Sequence, residues 1–225
     1  VLHFEAVMGK QSVWVNGQKV QDNLGGYLPF EVDLTACGVK PGQNCTVALL
    51  ADNSDDRSYP PGKTQYTLDF TYHGGIYRDV WLLGIPRVHV TRASTAGKIA
   101  GGGVFIHYDA VSREKASMTV DTDLGNFGEK TRRISLRTRI LSPDGTPVSE
   151  KTDRVSVPVG GKSIRQTFTL DRPRLWSPED PALYSVETQL FDGDKAMDGG
   201  IPRTGVRSVR FDKDAERAGS RSLLA

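Results

Sequence analysis

The chain has 225 residues, of which 37% are hydrophobic and 25% are charged, and its formal net charge is +2. This length suits two domains of ordinary size, each able to bury its own core. The composition is that of a soluble globular protein, and no apolar run approaches the roughly 20 residues that a membrane helix needs. Basic and acidic residues are interspersed, so neither nucleic acid nor a membrane is expected as a partner.

A period-two alternation of apolar and polar residues recurs along the chain and predicts an all-β protein. The predicted strands are, in chain order, 12–15, 45–51, 79–85, 87–91, 104–110, 116–122, 133–141, 163–170, 183–191 and 205–211. Turn-forming sequences lie between them, and Asn16-Gly17 is the pair best suited to a two-residue hairpin turn with positive φ. Many short strands with such turns predict β-sandwiches.

The predicted strand 133–141 lies in a local excess of arginine. Arginines fall largely on one side of it and apolar residues with one threonine on the other: Arg132, Arg133, Arg137 and Arg139 against Ile134, Leu136, Thr138 and Ile140. The alternation predicts a solvated outer face and a buried inner face.

The N-terminal sequence and the cysteines do not identify the cellular compartment. The first residues, VLHFEAV, lack the basic region and the cleavage site of a signal peptide, so the periplasm and the cytoplasm both stay open. Cys37 and Cys45 flank a turn-like segment, where a bridge is conceivable, but we expect two free, half-buried thiols.

The residues alone do not indicate a catalytic centre. A retaining glycosidase needs two carboxyl groups facing each other about 5 to 5.5 Å apart. The adjacent acids Asp55-Asp56 and Glu179-Asp180 lie in predicted loops, where neighbouring side chains usually diverge. The four histidines show no metal-ligand spacing, and no nucleophile elbow or phosphate loop is present. On chemistry alone the chain is a binding or structural module.

The segment 52–75 is the richest in polar chemistry, because Asp, Tyr, Pro and Gly crowd a long loop between two predicted strands. Loops of this length in compact domains are commonly functional. Carboxylates accept hydrogen bonds from sugar hydroxyls, and aromatic rings pack against the apolar face of a sugar. The same residue types also form Asx turns and caps, so both interpretations stay open.

Two stretches of the chain, 14–35 and 52–83, resemble the sugar-binding jelly-roll domain of family 2 glycoside hydrolases. The elements VNG, GGYLPFEVDLT, DN and GGIYRDVWL follow in the order and spacing of that family. PPGK and LDFxYxGGIYRDV look more like β-galactosidases than β-glucuronidases or β-mannosidases. Further on, 173–190 and 205–214 are similar to the immunoglobulin-like domain that precedes the catalytic barrel.

The resemblance implies two β-sandwiches: a partial, galactose-binding-like jelly roll at 1–88, N-terminally incomplete, and an immunoglobulin-like sandwich at 89–212. Residues 213–225 are expected to form a poorly ordered tail. In the family, an (α/β)8 barrel follows and supplies both catalytic glutamates. The chain is therefore expected to be the non-catalytic part of a β-galactosidase, inactive by itself, with the missing barrel and a β-galactoside or other carbohydrate as its partners.

The candidate site residues also come from this resemblance. Asp69 lies six residues before Gly75, where β-galactosidases carry an aspartate that contacts the galactosyl group and helps to hold a monovalent cation such as sodium. Asp69 is thus the candidate substrate-binding and metal-binding residue, and Tyr72 and His73 are weaker substrate-binding candidates in the same loop. No catalytic residue and no cofactor of the chain's own are expected, and an aspartate that merely caps a loop is the alternative for Asp69.

Two other functions compete with this one. The chain could act alone as a carbohydrate-binding module, or serve as a structural protein built of immunoglobulin-like sandwiches. The tryptophans Trp14, Trp81 and Trp176 could stack on sugars, but their strand context favours core packing.

Overall fold

The computed structural model describes residues 1–210 and 223–224, which form an all-β protein as predicted. The strands are β1 Leu2–Phe4, β2 Lys10–Val15, β3 Gln18–Leu24, β4 Phe30–Val32, β5 Val47–Asp52, β6 Val80–Leu82, β7 Val88–Val90, β8 Val104–Val111, β9 Lys115–Asn126, β10 Arg132–Leu141, β11 Pro147–Val157, β12 Lys162–Asp171, β13 Tyr184–Asp192, β14 Lys195–Gly200, β15 Arg203–Thr204, β16 Val209–Arg210 and β17 Leu223–Leu224. A 3-10 helix spans Gln65–Thr67. None of the helical structure in this range is long and apolar enough to cross a membrane.

The chain divides into two compact units, Val1–Ile85 and Pro86–Ala225. The first unit is a sandwich of two antiparallel three-stranded sheets, in the orders β4-β1-β6 and β3-β2-β5. Alternate side chains of both sheets meet in one core, formed by Phe4, Val7, Val13, Val15, Phe30 and Val32. Cys37 and Cys45 are free and partly buried, as predicted.

The hairpin predicted at Asn16-Gly17 is confirmed. Asn16 has φ 50° and Gly17 has φ 80°, and these residues connect β2 to β3. Because β3 is largely polar and exposed, its own alternation is weak, and the sequence did not predict it as a strand.

The expectation of core packing is wrong for Trp81, which is 50% exposed. Trp81 pairs with His3 across β1 and β6, whereas the next residue of β1, Phe4, is buried in the core. Since successive side chains of a strand alternate between faces, Trp81 points to the outer face, where its indole Nε1 donates to Glu5 at 3.0 Å.

The second unit is also a sandwich. One sheet has the order β11-β10-β13-β14, with β15 beside β13, and the facing sheet has the order β12-β9-β7, with β8 beside β9. Inward side chains form two apolar clusters, one around Met118, Ile140 and Val186 and the other around Leu124, Leu136 and Leu190. The prediction for strand 133–141 is confirmed, because the face formed by Ile134, Leu136, Thr138 and Ile140 is buried.

The predicted strand 205–211 is shorter in the structure. Within the described part of the chain only Val209–Arg210 is a strand, and it pairs with Leu223–Leu224. The predicted tail 213–225 otherwise lies outside the described residues.

A buried carboxylate, Asp123, fastens the Gly-rich segment that precedes β8. It is 4% exposed and accepts hydrogen bonds from Thr91 Oγ1 at 2.8 Å, Lys98 Nζ at 2.5 Å and Ser163 Oγ at 2.6 Å. Burial raises the pKa of Asp123, but the hydrogen bonds from Lys98, Ser163 and Thr91 outweigh burial, so the pKa lies below its usual value of 3.8. Asp123 is therefore held in its charged form.

We expect the Asp123 carboxylate to make the free energy of unfolding depend on pH in the acid range. A group whose pKa is lowered by folding stabilises the protein above its unfolded pKa, and this contribution is lost as pH falls through the folded pKa. Urea unfolding midpoints should therefore fall from about pH 5 towards about pH 2, and Asp123→Asn should reduce that slope. Equal slopes in the variant and the wild type would contradict the assignment.

Candidate functional site

The long loop between β5 and β6 is held by three aspartates at its start. Asp52 accepts the backbone N–H of Ser54 at 2.9 Å, Asp56 accepts that of Ser58 at 2.8 Å, and Asp55 accepts that of Gln65 at 2.9 Å. The first two bonds are side-chain turns of the kind that Asp commonly forms in loops, and the third connects two parts of the loop ten residues apart. The adjacent acids Asp55 and Asp56 thus shape the loop rather than face each other.

Asp56 also connects the loop to the sheet. Its carboxylate lies 2.8 Å from Lys10 Nζ at the start of β2. The hydrogen bond from Lys10, followed by those from Ser58, holds the pKa of Asp56 well below its usual range. The first half of the loop is therefore attached to a strand that belongs to the core.

An aromatic cluster lies at the other end of the loop and comprises Tyr27, Tyr59, Tyr72, His73 and Tyr77. The rings of His73 and Tyr77 stack with centroids 5.1 Å apart and planes inclined by 12°. Burial, the neighbouring Tyr59 and nearby aspartates raise the pKa of Tyr72 to about 12. Tyr27 is 44% exposed, and burial together with Tyr72 and Tyr77 raises its pKa as well. The cluster therefore presents neutral hydroxyls and a partly open ring at neutral pH.

Tyr77 joins two loops that are distant in sequence. Its hydroxyl donates to the backbone oxygen of Gly26 at 2.5 Å, so the long loop is attached to the 25–29 turn that carries Tyr27. The structure thus brings Tyr72 and His73 together with Tyr27, which the sequence did not suggest as a site residue.

Asp69 stands apart from the other loop aspartates. It is exposed, it follows the 3-10 helix, and its carboxylate makes no hydrogen bond or ion pair with any other residue in the described range. Asp69 therefore does not cap the loop, and both of its oxygens remain available to an external donor.

A cation site around Asp69 would need further ligands. Among residues 1–210 and 223–224, no group of three or more His, Cys, Asp or Glu side chains could hold a metal ion. One carboxylate cannot hold a hard cation alone, because such ions bind several oxygen ligands; calcium, for example, takes about six to eight. Asp69 would therefore supply one oxygen ligand of such a site, and other oxygens would have to complete it.

Gln11 is the structural residue of this region that sequence reasoning missed. The two N–H groups of its buried Nε2 are shared among the backbone oxygens of Val7, Gly9 and Gly25 at 2.6 to 2.8 Å, and its Oε1 accepts from Asn23 Nδ2 at 2.7 Å. The signal was present, since a glutamine occupies a core-facing position in the alternation of β2. It fixes the turn that carries Tyr27.

Comparison with known families matches both parts of the chain. Residues 1–86 match the model of the sugar binding domain of glycosyl hydrolases family 2, and residues 98–207 match the model of glycosyl hydrolases family 2. Both matches concern the same enzyme family.

Individual relatives are similar along nearly the whole chain. The chain is 28% identical over 221 residues to a beta-glucuronidase of Formosa agariphila, covering 95% of this chain and 22% of that protein. It is 28% identical over 216 residues to a beta-galactosidase of Thermoanaerobacter pseudethanolicus, covering 96% and 27%. The structure resembles that of Bacteroides uniformis beta-glucuronidase with a TM-score of 0.83 and 28% identity, covering 99% and 25%. The chain thus spans about a quarter of the length of these relatives.

Proposed function

Because the chain belongs to family 2 of the glycosyl hydrolases, we propose that it is the non-catalytic N-terminal portion of a β-galactosidase-like enzyme. The observation that carries the proposal is the match to both family 2 models over a chain that spans about a quarter of its relatives' length. The proposed parent hydrolyses terminal β-galactosides with retention of configuration, and its catalytic carboxylates lie in the part of the protein beyond this chain.

The proposed task of this chain is to support and shape the sugar site. Asp69 offers an exposed carboxylate whose oxygens make no hydrogen bond or ion pair with another residue of the described chain. A charged acceptor suits sugar hydroxyls, because charge-assisted hydrogen bonds are roughly twice as strong as neutral ones. Tyr72 stays protonated at neutral pH, since its pKa is about 12, and its hydroxyl is therefore able to donate. His73 contributes a flat ring already positioned by Tyr77.

The galactoside is proposed on the loop sequence, and a β-glucuronide is the second candidate. The loop sequence at 68–80, LDFxYxGGIYRDV, is more similar to β-galactosidases. A relative and a solved structure that are named beta-glucuronidases are, however, as identical to the chain as the beta-galactosidase is, at 28%. Assays of the proposed parent enzyme on an aryl β-galactoside and an aryl β-glucuronide distinguish the two substrates. Faster turnover of the glucuronide would overturn the galactoside proposal.

The non-catalytic role is tested on the 225-residue chain itself. We expect no hydrolysis of an aryl β-galactoside above buffer, and no heat on calorimetric titration with galactose or lactose, because the remainder of the parent completes the site. Activity that persists through repurification would contradict the proposal. Binding that is lost in Asp69→Ala would instead support a carbohydrate-binding module acting alone.

Asp69→Asn is expected to lower the catalytic efficiency of the proposed parent enzyme without affecting its folding. Loss of one charged hydrogen bond costs about 1.5 to 3 kcal/mol, so kcat/KM should fall roughly 10- to 100-fold. The melting temperature should not change, because Asp69 is exposed and its carboxylate makes no hydrogen bond or ion pair with another described residue. Asp22→Asn is the matched control, since Asp22 is an exposed aspartate of the β2–β3 hairpin that pairs with Lys19. Unchanged kinetics in Asp69→Asn would exclude substrate contact.

A further inference from the structure

The outer face of the sheet β11-β10-β13-β14 carries arginines of two kinds. Two are already paired: Arg137 with Gln189 and the Phe191 ring, and Arg139 with Glu187. Arg132, which pairs with Asp192, lies on the opposite face of β10. Arg133 and Arg154 differ, because neither makes a hydrogen bond, an ion pair or a ring contact with another residue of the described chain. Both side chains are exposed.

The strand register brings these two arginines together with two serines. Arg133 pairs directly with Ser156, and Ser135 pairs directly with Arg154. Directly opposed residues of an antiparallel pair point to the same face, about 4.5 to 5.5 Å apart at Cβ, and diagonal neighbours lie about 7 to 8 Å apart. The four side chains therefore occupy the corners of one small patch, with the arginines on one diagonal and the serines on the other.

The patch is concave. The four residues line a cavity of about 550 Å³, and the turn between β13 and β14 forms another wall with Gly193 and Asp194. Asp194 is the acidic side chain of this lining, and it makes no ion pair with either arginine. Two guanidinium groups and one carboxylate leave a local excess of one positive charge.

The donors of the patch suit an anion with several oxygens. A guanidinium presents planar N–H groups that match a carboxylate, sulfate or phosphate in a bidentate manner, and serine hydroxyls are able to donate as well. Two guanidinium groups on one diagonal of a sheet face repel each other, and an anion bound between them would offset that repulsion. The patch thus offers donors on four sides and an unbalanced charge.

We propose that Arg133, Ser135, Arg154 and Ser156 bind an oxyanion, either free or carried as a sulfate or carboxylate group on a saccharide. The site lies within the second unit and does not depend on the proposed function of Asp69. The outcome of its test is therefore independent of the glycosidase assays.

The test is a titration of the 225-residue chain with sodium sulfate, at ionic strength held constant with sodium chloride and followed by amide NMR shifts. Saturable shifts are expected at 133–135, 154–156 and 193–194. Arg133→Gln and Arg154→Gln should each weaken binding by about tenfold or more, as removal of a charged hydrogen bond does. Arg132→Gln is the matched control, because it removes the same charge at the position next to Arg133, and Arg132 is already paired with Asp192. The sulfate affinity of this variant should stay within about twofold of the wild type.

Two results would overturn the site: shifts that do not saturate, or equal weakening by all three variants, which would indicate a general effect of net charge. Glucose 6-sulfate and glucose distinguish the sources of the oxyanion. Tighter binding of the sulfated sugar than of sulfate points to a saccharide ligand, and equal affinity points to a free anion. Binding of neutral glucose as tight as that of its sulfate would contradict the charge-based recognition.

Discussion

Gly9→Ala is expected to destabilise the first unit by about 2 to 5 kcal/mol, a large fraction of the total stability of a small domain. Gly9 has φ +90°, and a Cβ placed there would lie 2.0 Å from the backbone oxygen of Asp52. A positive φ costs an alanine about 1 to 2 kcal/mol, and displacing packed backbone costs about 1 to 3 kcal/mol more. The strand β5 ends at Asp52, so the displaced atoms belong to the start of the long loop.

Gly17→Ala separates the two costs. Gly17 has φ +80°, but no heavy atom lies within 4 Å of the position that an alanine methyl would take, so only the backbone cost of about 1 kcal/mol applies. Urea unfolding followed by tryptophan fluorescence measures both variants. Equal midpoints for Gly9→Ala and Gly17→Ala would show that the contact with Asp52 relaxes without cost.

Leu136→Ala is the second large effect, with an expected loss of about 3 to 5 kcal/mol in the second unit. Leu136 is 0% exposed and packs in the cluster with Leu124, Ile134 and Leu190. Truncation removes buried apolar surface and leaves a cavity, because a strand paired on both sides collapses only partly. The free energy of unfolding in urea measures the loss.

Thr138, two residues further along the same strand, provides the contrast. It lies directly opposite Thr188, and both hydroxyls are buried without a hydrogen-bond partner among the described residues. Replacing both by valine keeps the shape and removes two buried polar groups, so stability should be unchanged or higher. A loss as large as that of Leu136→Ala would mean that these hydroxyls are hydrogen-bonded in solution.

Much of the fold was predictable wherever one sheet face is buried and the other is solvated. Strand β10 shows this well, since its inner residues are apolar or Thr and its outer residues are largely Arg. Strand β11 pairs with β10 over its whole length but was not predicted. It lies at a sheet edge, and most of its side chains are exposed, so the alternation of hydrophobicity is lost.

The site was predictable only in part. Asp69, Tyr72 and His73 are close in sequence, so one loop contains them all. Lys10 and Tyr27 reach the same region through contacts between segments that are distant in sequence, and no local pattern predicts such contacts. Gln11 was the exception, because a polar residue on a core-facing position requires buried partners.

The aspartates of the long loop differ in what they contribute to its shape. Asp52, Asp55 and Asp56 are committed to turns and to Lys10, so substitutions there alter the path of the chain. Asp69 forms no such turn and no such ion pair among the described residues. Substitutions at Asp69 should therefore leave the shape of the loop unchanged.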